Sequence, residues 1–399
     1  MRLPRPPTTP EVRRRRLTLV AAVAAVCLAG VVLGAWAGGP GGRGPDETAR
    51  EVASAPRAAQ GEIEPEPRRA AVDELALKQQ LGQLVVLRFA GTELPGYVED
   101  ILADGWAAGV ILFADNLTSP DQAKALAADI QEAAGGDALI MTDQEGGPIR
   151  NLDWLGPQRA APAQGDPAAV RAAHREAGAG LRDHGITVDL APVADVPVVD
   201  GSVMAGRAFA PDPQQAADRV AAAVEGLDES EVAATLKHFP GLGGATVNTD
   251  DAPATVDLSE DELTGAALDP FRAGIEAGAQ LVMLGSARYP ALDDERIAML
   301  SPAVVDGLLR DELGFDGVAI TDSLEADAVT DVAEVDDAAV QVIEAGGDIA
   351  LTTGRGSWIR VFRAYEARVA ASPAFRERVR ESAGRVLELK RSLGLDAPG

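Results

Sequence analysis

The chain has 399 residues, enough for one large domain with appendages; it is 46% hydrophobic but only 4% aromatic, so small aliphatic residues must fill its core. That suits the many helix–strand contacts of an α/β protein better than an all-β sandwich. A formal charge of −26 repels phosphates and excludes a nucleic-acid partner gripped by its backbone.

Residues 1–16 form a basic tail ending in Arg13-Arg14-Arg15-Arg16, and residues 17–37 carry no charge. Roughly 20 apolar residues span a bilayer as a helix. The arginines would stay cytoplasmic and send the remainder outward, as a single-pass anchor of the cell membrane. A cleaved signal peptide is the alternative, with Ala35-Trp36-Ala37 as the cut site. Cys27 follows Val26, a poor context for lipoprotein processing, and as the single cysteine it permits no intrachain disulfide. Residues 38–72, with Gly39-Pro40-Gly41-Gly42 and Glu64-Pro65-Glu66-Pro67, read as a linker. The folded domain is expected over 73–399.

Eight short apolar runs follow: Leu84–Phe89, Gly109–Phe113, Ala138–Met141, Ile186–Leu190, Ala233–Leu236, Gln280–Leu284, Gly317–Ile320 and Asp348–Leu351. Between them lie helical patterns such as Asp121–Ala134, Asp212–Leu227 and Ser301–Glu312, opened by capping Ser or Asp. Strands alternating with helices imply a parallel sheet, and unbroken apolar strands imply burial on both faces. Eight units over about 320 residues predict an α/β fold of the closed (β/α)8 TIM type. An open doubly wound sheet is the competing arrangement, but no GxGxxG opens the first turn and no P-loop pattern occurs.

A barrel does its chemistry at the C-terminal ends of its strands. The third run ends in Thr142-Asp143-Gln144-Glu145-Gly146-Gly147, the fifth in Lys237-His238-Phe239-Pro240-Gly241, and the seventh in Thr321-Asp322-Ser323-Leu324-Glu325. Charged residues thus gather at one end of three separated strands. With only His174, His184 and His238 present, and no CxxC or HExxH, no metal is expected, and no cofactor.

These motifs, with Ala191-Pro192-Val193-Ala194-Asp195-Val196, Gly206-Arg207-Ala208-Phe209 and Tyr289-Pro290-Ala291-Leu292-Asp293, resemble the family 3 glycoside hydrolases over about Leu75–Leu393. Within that family the resemblance is to bacterial β-N-acetylglucosaminidases acting on cell-wall fragments. It implies a retaining hydrolase, in which one carboxylate attacks the anomeric carbon and an acid protonates the leaving oxygen. Asp322 matches the nucleophile, and Asp143, Arg207, Lys237 and His238 match the residues that hold the sugar. Arg207 and Asp195 would serve equally to tie loops together.

The acid/base of those enzymes is a histidine in a mobile loop, paired with an aspartate in a motif KHFPGHGxxxxDSH. Here Leu242 replaces a histidine, Asn248 stands at the aspartate position and Asp250 at that of its histidine. Pro148 replaces an arginine, and Ser286 a histidine common after the sixth strand. Either Asp250 or Asp251 takes over as acid, which desolvation and mutual repulsion would favour, or the domain is a glycan-binding pseudoenzyme. A barrel serving as a membrane-anchored interaction platform is the reading from a third class. The expected partner is a cell-wall glycan or muropeptide, met by a protein acting as a monomer.

Overall fold

The computed structural model describes residues 66–395. The basic tail (1–16), the anchor or signal (17–37) and most of the linker (38–72) lie outside them. Glu66–Asp73 is a helix, and its Val72 is completely buried. The last part of the expected linker is therefore folded.

Strands β1 (Val85–Arg88), β2 (Gly109–Ile111), β3 (Leu139–Thr142), β4 (Val188–Asp189), β5 (Ala233–Phe239) and β6 (Leu281–Leu284) pair in chain order, all parallel. A small antiparallel hairpin follows, β7 (Arg288–Tyr289) with β8 (Asp293–Ile297). Then β9 (Val318–Thr321) joins β6, and β10 (Ala350–Thr352) joins β1. A parallel bridge between Ile320 and Ile349 shuts the ring, supported by the Thr321 N–H donating to the Ile349 carbonyl at 2.9 Å. The expected (β/α)8 barrel is thus the fold, and each of the eight apolar runs supplies one of its strands. Closure removes the two edges that a doubly wound sheet would leave.

The strands are apolar on both faces for different reasons. Val86, Ile111, Leu139, Met141, Val188, Leu190, Met283, Ile320 and Leu351 fill the barrel interior. Their alternates, including Val85, Leu87, Val110, Ile140, Val282 and Ala319, pack under the helices. Each fully buried aliphatic side chain contributes about 1.5–3 kcal/mol. Of the three helices named from the sequence, the first starts at Pro120 with Ser119 rather than Asp121 as its cap, accepting from Gln122 N. The second follows Asp212, which accepts from Gln215 N, while the third is a π-helix over Ala303–Glu312 with no side-chain cap at Pro302. Such caps supply the acceptors that free helical N–H groups lack.

One end of the barrel is sealed. Val386, Leu389 and Leu393, from and just after the final helix (Pro373–Ser392), join the interior cluster. On the same helix, buried Lys390 donates to Asp137 at 2.5 Å, just before β3. Fully buried Asp348, two residues before β10, meets Arg310 at 2.6 Å and Arg385 at 3.2 Å. These contacts mark the N-terminal ends of the strands and leave the C-terminal mouth open.

Candidate active site

A cavity of about 540 Å³ occupies that mouth. Asp143, Arg207, Lys237, His238, Asp250 and Asp322 all line it, so the structure brings together the matched site residues and one of the two candidate acids. Leu190, Met283 and Leu351 form part of its apolar lining.

The cationic side of the site is built on β5. Lys237 is only 2% exposed and sits between two carboxylates, 2.6 Å from Asp143 and 2.7 Å from Glu145. Arg207 grips the same Glu145 with two hydrogen bonds, Nε to Oε2 at 3.0 Å and an Nη to Oε1 at 2.6 Å. Burial alone would push the Glu145 carboxyl up. Lys237, and then Arg207, reverse this and bring it down to about 2. Burial opposes the Lys237 charge likewise, but Asp143 and Glu145 hold its pKa above the usual lysine value. The glycine pair after Glu145 makes this turn: Gly146 and Gly147 have φ of +111° and +60°, the region that favours glycine.

His238 is oriented from behind. Fully buried Asp195 accepts from its ring Nδ1 at 2.8 Å, from its backbone N–H at 3.2 Å and from Leu242 N–H at 2.6 Å. The proton therefore belongs on Nδ1, leaving Nε2 as an acceptor beside Arg207 at 3.5 Å. Replacing Asp195 by alanine would strand three donors and is expected to cost about 2–5 kcal/mol of stability. Thermal unfolding measures this, and an unchanged Tm would refute it.

Asp322 ends β9. Its backbone N–H donates to Leu284 O at 3.0 Å, and its Oδ1 accepts from Ser323 N–H at 2.8 Å. Behind it Glu325 accepts from Thr353 N–H at 2.8 Å and from the hydroxyls of Thr353 and Ser323 at 3.0 and 3.2 Å. The start of this turn is thereby tied to the end of β10.

The altered loop is docked against the same turn. Asp327 N–H donates to the Asp250 carbonyl at 3.2 Å, and Ala328 N–H to that of Thr249 at 3.1 Å. At its base the loop lies so close to the barrel that a Cβ on Gly243 would stand 1.7 Å from Val196 O. The Asp250 carboxyl meets Asn248 Nδ2 at 3.3 Å. Partial burial and then the charge of Asp322 raise its pKa, against the opposing influence of Asn248, His238 and Arg207. Asp251 is exposed and does not line the cavity. Of the two candidate acids, geometry therefore favours Asp250.

The other departures have structural consequences. Leu242 presents an apolar wall to the cavity. Ser286 is buried with no hydrogen-bond partner for its hydroxyl. Pro148 is exposed, while Arg150 ties its own loop through Gly147 O, Asp153 O and Leu155 O. His174 and His184 lie away from the cavity, bonded to Gln164 and Trp154.

Sequence reasoning missed Glu145 as a site residue and read Asp195 only as a possible loop tie, although both lie inside the quoted motifs. Arg88 at the end of β1 also lines the cavity. Only its place at a strand end signalled it.

Comparison with known proteins agrees with this architecture. The model of the family described as Glycosyl hydrolase family 3 N terminal domain matches residues 76–389. A protein named β-hexosaminidase from Stenotrophomonas maltophilia is 36% identical over 278 residues, covering 67% of this chain and 82% of that one. An uncharacterized secreted glycosyl hydrolase from Arthroderma benhamiae is 34% identical, covering 70% of this chain and 83% of that one. Among solved structures, a family 3 β-N-acetylglucosaminidase from a Paenibacillus strain superposes with a TM-score of 0.77 at 34% identity. The match covers 82% of this chain but only 64% of that longer one. A β-N-acetylhexosaminidase from Beutenbergia cavernae gives 0.74 at 32% identity, covering 79% and 99%. The chain belongs to glycosyl hydrolase family 3, glycosidases that act on O-glycosyl bonds.

Proposed function

We propose that the protein is a retaining β-N-acetylhexosaminidase of the cell envelope, removing terminal β-linked N-acetylglucosamine from cell-wall glycans or muropeptides. In this reading Asp322 is the nucleophile and Asp250 the acid/base. The observation that carries it is the shared cavity: the two carboxyls face one space, next to a clamp of Asp143, Lys237, His238 and Arg207. A retaining mechanism needs two carboxyl groups in different states, one ionised to attack and one protonated to donate. Asp322 accepts the Ser323 N–H on one oxygen, which orients its carboxyl group in the mouth. Asp250 is shifted upward, which suits a donor. The clamp supplies fixed donors and acceptors for ring hydroxyls, holding the anomeric carbon for attack. The named hexosaminidase relatives support the choice of sugar.

An extracytoplasmic location is part of the proposal. Its support is the basic, then uncharged, N-terminal sequence and the secreted relative. Among the described residues no helix is long and apolar enough to cross a membrane. The proposed tether, residues 17–37, lies outside the described residues.

The test uses the full chain with p-nitrophenyl β-N-acetylglucosaminide and with a glycoside of a poorer leaving group. Asp250→Ala is expected to lower turnover of the poor leaving group by about 10²–10⁴-fold while sparing the activated one. The pH profile checks the same assignment. An acid with a raised pKa loses its proton as pH rises, so kcat/KM should fall on the alkaline side, at a pH above the usual carboxylate value of about 4. Asp250→Asn should abolish that limb. Equal losses on both substrates would remove Asp250 from the mechanism. A folded protein that binds the sugar without turnover would be a glycan-binding pseudoenzyme.

A further inference from the structure

A second cavity, of about 320 Å³, lies between the helix Gly96–Ala103 and the helix Ser357–Ala371. It adjoins the first: Arg88 lines both, and Thr353 of the active-site cavity is flanked by Thr352 and Gly354 of this one. Its lining combines Tyr97, Trp106 and Trp358 with the carboxylates Asp100 and Asp104.

The aromatic surface is rigid. Trp358 stacks on Phe362 at 5.3 Å, Trp106 stacks on Phe362 at 5.7 Å, and the Trp358 indole N–H donates to Trp106 O at 3.0 Å. These contacts fix the rings without using the fold's solvent face, because Trp358 remains partly exposed. Tyr97 at 58% and Ile359 at 37% are among the most exposed large apolar residues described, and both border this groove. Nothing in the fold requires that exposure.

We infer that this groove is an accessory subsite for a second sugar ring of the glycan whose terminal residue occupies the catalytic cavity. The inference rests on the glycosidase reading above. A pyranose has apolar C–H faces and a hydroxyl-bearing edge. Aromatic rings accept the faces, and carboxylates accept hydrogen bonds from the edge. Trp358 and Tyr97 are placed for the first task, Asp100 and Asp104 for the second. The volume is at the lower end of the roughly 300–1,000 Å³ typical of small-molecule pockets, room for one ring rather than a long peptide. The two carboxylates disfavour an anionic unit, so the occupant is a neutral N-acetylhexosamine or hexose. Continuity through Arg88 and residues 352–354 makes it part of the same chain of sugars.

The test compares methyl β-N-acetylglucosaminide with the β-linked N-acetylglucosamine trisaccharide, using the full chain and the variants Trp358→Ala, Tyr97→Ala and Asp104→Asn. The variants are expected to raise KM for the trisaccharide about tenfold, as loss of an aromatic anchor commonly does. Kinetics on the methyl glycoside should stay within about twofold, since its single sugar fills only the catalytic cavity. Trp358→Ala removes a packing partner of Phe362, so exposed Tyr97 and Asp104 provide the arms that do not threaten the fold. Losses on both substrates from Tyr97→Ala and Asp104→Asn, or on neither, would overturn the inference and leave the glycosidase reading intact. Absence of wild-type turnover on either substrate would overturn that reading, and the inference with it.

Discussion

Asp322→Asn is expected to lower turnover of p-nitrophenyl β-N-acetylglucosaminide by roughly 10⁴-fold or more, the scale on which removal of one member of a nucleophilic constellation acts. The physical reason is that an amide cannot form the glycosyl-enzyme intermediate, whatever the quality of the leaving group. Under the proposed assignment this separates it from Asp250, whose loss a good leaving group should tolerate. The fold should survive, because the backbone N–H of residue 322 still donates to Leu284 O, and the amide oxygen can still accept from Ser323 N–H. Circular dichroism and Tm should match the wild type while the rate collapses. A variant retaining more than about a tenth of the wild-type rate would exclude Asp322 as the nucleophile.

The second large effect is expected at Lys237. Its ammonium is buried between Asp143 and Glu145, and removing one partner of a buried ion pair costs about 3–5 kcal/mol because the remaining charge is uncompensated. Lys237→Met keeps the volume and removes the charge, so both stability and sugar binding should fall. The loss should also depend on pH. Glu145 is held at about 2, below its ordinary 4.5. A depressed carboxyl stabilises the fold above its unfolded pKa and loses that contribution as pH falls through the folded one. In the wild type this window runs from about pH 4.5 down to about 2. Without Lys237 the folded pKa rises, so acid unfolding should begin at higher pH. Acid titrations followed by circular dichroism would show it, and coincident curves would refute the proposed coupling.

The eight strands were legible because each is a short run apolar on both faces, which a barrel buries whichever way the side chains point. The helix start at Asp212 was legible because capping is local chemistry. Asp143, Lys237 and His238 stood out at strand ends, whereas Arg207 was found only through the family resemblance. Glu145 was harder to see, because its importance comes from Arg207, which is 62 positions away in the chain. The same holds for Asp195, whose partners His238 and Leu242 are 43 and 47 positions away.

The sequence by itself determined the barrel, the end that carries the chemistry and most of the residues facing the cavity. The barrel and its reactive end follow from periodicity and local capping, and the cavity residues from the family resemblance that short motifs carry, each confined to a few neighbouring residues. Only the tertiary structure decided between Asp250 and Asp251 as the carboxyl facing the site. Adjacent residues in a turn point in different directions, and their exposure is set by where the loop docks. Here the docking is made by Asp327 and Ala328, on the far side of two barrel strands in the chain, and no local pattern records that contact.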